Sequence, residues 1–135
     1  MVGGTRRCDP GMRAGRMRKA DQFADAYHLV RDYAGTDGEL DVADAAVTLA
    51  VHAGIAASDV ICCARLGEHA QGDNHGDATG LLRKAAPGLE RDLATLLTMK
   101  TRAGYSADPA NRDMLERAGR AMDRLVDAAR AANAG

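Results

Sequence analysis

At 135 residues, with 46% apolar and 3% aromatic side chains, the chain has the size of one domain and can bury a single core without covalent staples. Alanine is abundant, prolines number three, and the aromatics are Phe23, Tyr27, Tyr33 and Tyr105, a composition that favours helices packed through small side chains and speaks against a sheet protein. The net charge of −1 excludes a strongly basic or acidic whole, yet residues 1–20 carry six of the 18 cations and one of the 19 acids, leaving 12 cations against 18 acids beyond them.

That first segment (Arg6, Arg7, Arg13, Arg16, Arg18 and Lys19 against Asp9) is glycine-rich and has no apolar face. Residues 1–15 therefore read as a basic disordered leader, with Met12 and Met17 as alternative starts, ahead of one helical domain over 16–135. No apolar run of membrane-spanning length and no apolar middle of a secretory signal are visible, so a cytoplasmic protein without a membrane partner is expected. Cys8, Cys62 and Cys63 form an odd set whose adjacent pair points in different directions on a helix. No disulfide is expected, and Cys62 and Cys63 read as buried small hydrophobes.

Phe23, Ala26, Tyr27, Val30 and Tyr33 recur at helical spacing and predict a first helix over 16–34, ended by Gly35 and Gly38. Asp37 or Asp41 is placed to cap the second helix, predicted over 40–68. Its stripe Ala43, Val47, Ala50, Gly54, Ala57, Ile61 and Ala64, with Leu49, Val60, Cys63 and Leu66 on other faces, marks a central helix packed on several sides. Gly54 within it points to a close helix crossing or a bend. Asp73, Asn74 or Asp77 can start a short third helix through Lys84, broken by Pro87 and Gly88. The fourth carries Leu89, Leu93, Leu96 and Leu97, with Lys100 closing the apolar stripe. Asp108 and Pro109 read as N-cap and first residue of the fifth, whose buried face is Leu115, Ala118, Met122, Leu125 and Ala129. The fold class is all-α, an antiparallel bundle of about five helices.

A bundle by itself implies no activity, so function rests on particular residues. Asp59 beside Ser58 inside an apolar helix is costly to bury unpaired, and Lys100 or Arg102 is its expected partner if the second and fourth helices pack together. His69 and His75 flank a polar turn with Glu68, Asp73 and Asp77, but no HxxxH, HExxH or CxxC spacing is present, and neither a metal nor a cofactor is expected. His28 and His52 read as helix-surface or satisfied polar residues. Nucleophile-elbow and P-loop patterns are also missing.

The stretch from Ala50 to Val126, with IAASDVICCARLG on a long alanine-rich helix, DNHGDATGLL leading into a short one and LLTMKTRAGY before a final amphipathic helix, resembles the HEPN domain. That resemblance implies a small all-α homodimer whose last-helix clefts meet across a two-fold axis. It also implies a toxin–antitoxin or defence setting, an RNA or nucleotide ligand, and a cognate antitoxin or nucleotidyltransferase as partner. Active HEPN ribonucleases carry Arg-x4-6-His near the end of the penultimate helix. Here the segment reads KTRAGYS, with Lys100 near the arginine's place, Arg102 after it and Tyr105 where a histidine or tyrosine would stand, and no Arg-x4-6-His occurs in the chain. Metal-free RNA cleavage needs a group that moves the 2′-hydroxyl proton near neutral pH, and tyrosine, with a pKa of about 10, serves poorly.

The expectation is thus a non-catalytic HEPN-like module that binds RNA, a nucleotide or a partner protein through Asp59, Arg65, Lys100, Arg102, Tyr105 and His75. A purely structural interaction module is the alternative, and a metal-independent ribonuclease toxin a lesser one. The charge of −6 beyond residue 20 disfavours broad non-specific nucleic-acid binding, because phosphate contacts need clustered cations.

Overall fold

A computed structural model describes residues 4–72 and 74–135, and the chain is mostly helical, in agreement with the all-α class. Helix α1 spans Pro10–Gly38 and begins earlier than the periodicity suggests, because Asp9 Oδ1 accepts the Met12 N–H at 2.7 Å and Pro10 stands where a missing N–H is harmless. Its buried face is Met17, Ala20, Ala24 and Tyr27. Gly35, expected to end the helix, instead kinks it: φ 68° and ψ −178° are open to glycine, and helical hydrogen bonding resumes as far as Gly38. A short 3-10 turn, Glu39–Val42, leads on.

Helix α2, Ala43–Leu66, is shorter at both ends than the predicted 40–68, and no side chain caps its start. It runs through the centre of the molecule against α1 and the three helices that follow. Alanines on several of its faces are fully buried, among them Ala46, Ala50, Ala53, Ala56 and Ala57, which lets the neighbouring backbones close in. Gly54 marks a crossing: a Cβ there would collide with Leu96 and press on Leu125. At the C-terminal end Gly67 takes the left-handed conformation, φ 73°, and its N–H bonds the Cys63 carbonyl.

Beyond Gly67 comes a pairing absent from the sequence reading. Strand β1, Thr5–Arg7, lies antiparallel to β2, Glu68–Ala70, with Arg6 opposite His69. The Cys8 N–H donates to the Gly67 carbonyl and the Gln71 N–H to the Gly4 carbonyl, both at 3.0 Å. A disulfide joins Cys8 to Cys63, 55 residues apart in sequence. The described part of the expected leader, residues 4–15, is therefore built into the fold, and the expectation of no disulfide is overturned. Cys63 lies in the last turn of α2 and the chain reverses at Gly67, so the returning β2 guides β1 and Cys8 onto it.

Helix α3, His75–Ala85, is capped by Asn74, whose Oδ1 accepts the Asp77 N–H at 2.9 Å; Asp73, the other cap expected, lies outside the described residues. Helix α4, Glu90–Gly104, buries Leu93, Leu96, Leu97 and Met99. Helix α5, Arg112–Ala134, starts later than Asp108 and Pro109 suggest. Asn111 is the cap, and residues 109–110 are held as a loop: the Pro109 carbonyl accepts from Arg102, and the Ala110 N–H donates to Asp44 at 2.8 Å. Asp92 on α4 takes three hydrogen bonds from Arg124 on α5, and Tyr27 donates to the Leu115 carbonyl, so polar clamps fix both neighbours of the core. The Pro10–Leu66 run does contain a stretch apolar and long enough to cross a membrane, at mean hydropathy 1.7, contrary to the sequence reading, but 72% of it is buried within the protein.

Candidate functional site

Helices α2, α3 and α4 and the loop from β2 to α3 enclose a pocket of about 100 Å³. Ile55, Ala78, Leu93 and Leu97 make its apolar walls. Ser58, Asp59 and Cys62 from α2, Asn74 and His75 from the α3 entry, and Lys100 from α4 supply the polar groups. The helical spacing explains the assembly: Ile55, Ser58, Asp59 and Cys62 follow one another at i, i+3, i+4 and i+7 on one face of α2, while Leu93, Leu97 and Lys100 recur in the same way on α4.

Asp59 is the pocket's anionic group, and its partner is a correction. Neither Lys100 nor Arg102 pairs with it. Arg16 Nε from α1 donates to Asp59 Oδ2 at 2.9 Å, and His69 Nδ1 stands 3.9 Å from Oδ1. Burial pushes the Asp59 carboxyl above the usual aspartate range, against the opposing pull of the Arg16 charge and then of His69. Oδ1 accepts no hydrogen bond among the described residues and keeps its capacity for a donor from a ligand. His69 Nδ1 lies 2.9 Å from the Ala70 carbonyl, whereas His69 Nε2 and Asp77 Oδ2 are buried without a partner among the described residues. Cys62, one turn from Ser58, is pushed up to about 12, mainly by burial and further by Asp59, so its thiol stays protonated and inert at neutral pH.

The other residues singled out in the sequence are divided between places. Lys100 and His75 join Asp59 around the pocket. Lys100 also borders a second cleft, of about 150 Å³, with Thr48, Val51, His52, Gly104 and Tyr105, so it stands between the two along the α2–α4 seam. Tyr105 there is 80% exposed. Arg65 turns away to the Ala85 carbonyl at 3.2 Å, and Arg102 serves the loop before α5, so both hold structure outside the pocket. Arg16 and His69 are the site residues that sequence reasoning missed. The sequence puts Arg16 at the start of the first helix among other cations and His69 beside a polar turn, and no spacing there singles out either one as a partner of Asp59. Arg6 and Arg7 stand exposed on β1, whose partner strand continues into the pocket wall at Ala70 and Gly72.

Compared with family models, curated proteins and solved structures, the chain matches none.

Proposed function

We propose that the chain is a HEPN-like binding module whose α2–α4 pocket takes a nucleotide, free or as an unpaired residue of RNA. The observation that carries this reading is a pocket that holds, within one apolar enclosure, a carboxylate with an open acceptor oxygen and a cation at its border. Asp59 Oδ1 and Ser58 suit the N–H edge of a base, Leu93, Leu97 and Ile55 its faces, and Lys100 a phosphate. Arg6 and Arg7 on β1 add positive charge beside that wall, set against a net −6 beyond residue 20. The reading is one of binding and not of cleavage, since no Arg-x4-6-His occurs in the sequence.

Homodimerisation across the exposed Tyr105 end of α4, a cytoplasmic location and an antitoxin or nucleotidyltransferase partner belong to the same proposal. A purely structural module is the second reading: Tyr105, 80% exposed at the rim of the 150 Å³ cleft, suits a contact between copies that needs no ligand in the Asp59 pocket.

Calorimetric titration of the full chain with the four ribonucleoside monophosphates and with a short unpaired oligoribonucleotide separates these readings. Binding that weakens about tenfold in Lys100→Ala, equivalent to about 1.4 kcal/mol, supports the nucleotide pocket. A base preference that changes in Asp59→Asn places the base at that carboxylate. Absence of binding to every monophosphate and to the oligonucleotide removes the proposal and leaves the interaction module.

A further inference from the structure

The Cys8–Cys63 bond cross-links the segment that carries β1 to the last turn of α2, and it lies at the junction of three features. Strand β2 pairs with β1 and with no other strand among the described residues. The same segment continues through Ala70 and Gly72 into the wall of the Asp59 pocket. The disulfide itself floors a surface cleft of about 120 Å³ lined by Cys8, Asp9, Pro10, Arg13 and Cys63. Within it Cys63 is buried and Cys8 only half-buried, so Cys8 is the more accessible end of the bond. Arg13 at the border supplies positive charge for an anionic thiolate, while the Asp9 carboxylate on the same border has Oδ1 engaged by the Met12 N–H.

From this arrangement we infer that Cys8–Cys63 is a thiol-exchange site, and that its reduction by a dithiol releases β1 as a strap from the pocket wall. A thiolate of the dithiol attacks the Cys8 sulfur; the Cys8–Cys63 bond breaks, and Cys63 leaves as a thiolate that takes a proton from water. The second thiolate of the reagent then attacks the reagent sulfur bonded to Cys8 and expels the Cys8 thiolate, which is protonated in turn. Two electrons pass to the protein and the dithiol becomes a disulfide. Cys62 takes no part, since it is buried and protonated.

Without the bond, β1 is held by its hydrogen bonds to Gly67, Gln71 and the β2 ladder, all at the molecular surface, and such short two-stranded pairings are marginal in water. Helix α1 stays docked, because Asp9 caps it and its buried face begins at Met17. The strap release rests on the disulfide and the strand pairing, and stands apart from the identity of any ligand.

The test uses the oxidised full chain, identified by an intact mass two hydrogens below that of the reduced protein. It is incubated with dithiothreitol in native buffer, alkylated, and followed by hydrogen exchange with mass spectrometry. Alkylation of Cys8 and Cys63 but not Cys62, with exchange over residues 4–9 and 67–72 faster by roughly tenfold or more and α5 unchanged, is the expected result. Three results overturn it: a bond that resists the dithiol in the folded protein, reduction that leaves the exchange of those segments unaltered, and faster exchange over α5 to the same degree. Arg13→Ala adds an independent measure: reduction slows with both reagents, and more with glutathione, whose attacking thiolate carries a net charge of about −2, than with dithiothreitol, whose attacking thiolate carries about −1; unchanged rates with both reagents remove the role of the cleft.

Discussion

Asp59 is the residue on which structure and chemistry converge. The sequence marks it, because a carboxylate in an apolar helical stripe demands a partner, but the partner lies 43 residues earlier, at the start of the first helix, where no sequence pattern singles it out. Burial raises its pKa despite Arg16, and this has a definite consequence for stability. A carboxyl whose folded pKa lies above its unfolded value binds its proton more tightly when folded. Its contribution is fully present below the unfolded pKa of about 3.9 and is lost as pH rises through the folded value. Urea unfolding across that interval should therefore show the wild type losing stability relative to Asp59→Asn as pH increases; a parallel pair of curves would mean that Asp59 titrates normally. Asp59→Ala, measured at pH 7, should cost about 2 kcal/mol, below the range for a fully buried pair because the Arg16 side chain is 29% exposed. Tyr105, Arg65 and Arg102 show the opposite lesson: a cation or tyrosine near a helix end serves equally well as a loop clamp or a surface group.

Among the elements, α2 follows its sequence closely. Its many-sided apolar pattern predicts a central helix, and Gly54 predicts the close crossing at which Leu96 and Leu125 approach. Gly54→Ala should destabilise the protein by about 1–3 kcal/mol in thermal or chemical unfolding, since the gain in helix propensity is smaller than the strain of the added methyl group. An unchanged midpoint would show that α4 can shift aside. Helix ends follow local sequence less faithfully. Gly35 kinks α1 without ending it, and α5 waits for Asn111 because the Pro109 and Ala110 backbone is held by Arg102 and Asp44, neither of which adjoins it in sequence. Asn111→Ala should cost about 1 kcal/mol, while Asp108→Ala should be close to neutral, and the contrast between the two unfolding midpoints checks which residue caps the helix.

On the scale of the whole molecule, the N-terminal segment changes from a leader to a structural part. Residues 5–7 pair with β2, Cys8 bridges to Cys63, Asp9 caps α1, and Arg16 neutralises Asp59. Closing a loop of 55 residues restricts the unfolded chain by about 4 kcal/mol in the chain-entropy description, so the oxidised protein should unfold at distinctly higher denaturant than the reduced one. Equal midpoints would mean that the reduced unfolded chain is already compact there. A chain begun at Met17 should lose more, because it lacks the bridge and the Arg16 partner together; circular dichroism melts of the two forms give the comparison.

Periodicity and composition, properties of neighbouring residues, determined the helical class, the central position of α2, the crossing at Gly54, the start of α3 and the buried faces of α4 and α5; on α1 the expected stripe is buried only at Tyr27, and Tyr33 is 93% exposed. The tertiary structure alone decided what depends on residues distant in sequence. Arg16 meets Asp59, Cys8 meets Cys63 and Arg6 comes opposite His69 because α1 returns the N-terminus to the end of α2, and no local pattern encodes that encounter. Apolar spacing records which face a helix buries, since every turn must satisfy it. A single ion pair or disulfide leaves no repeating trace along the chain, and so the pocket's polar groups were legible in part while the strap beside them was not.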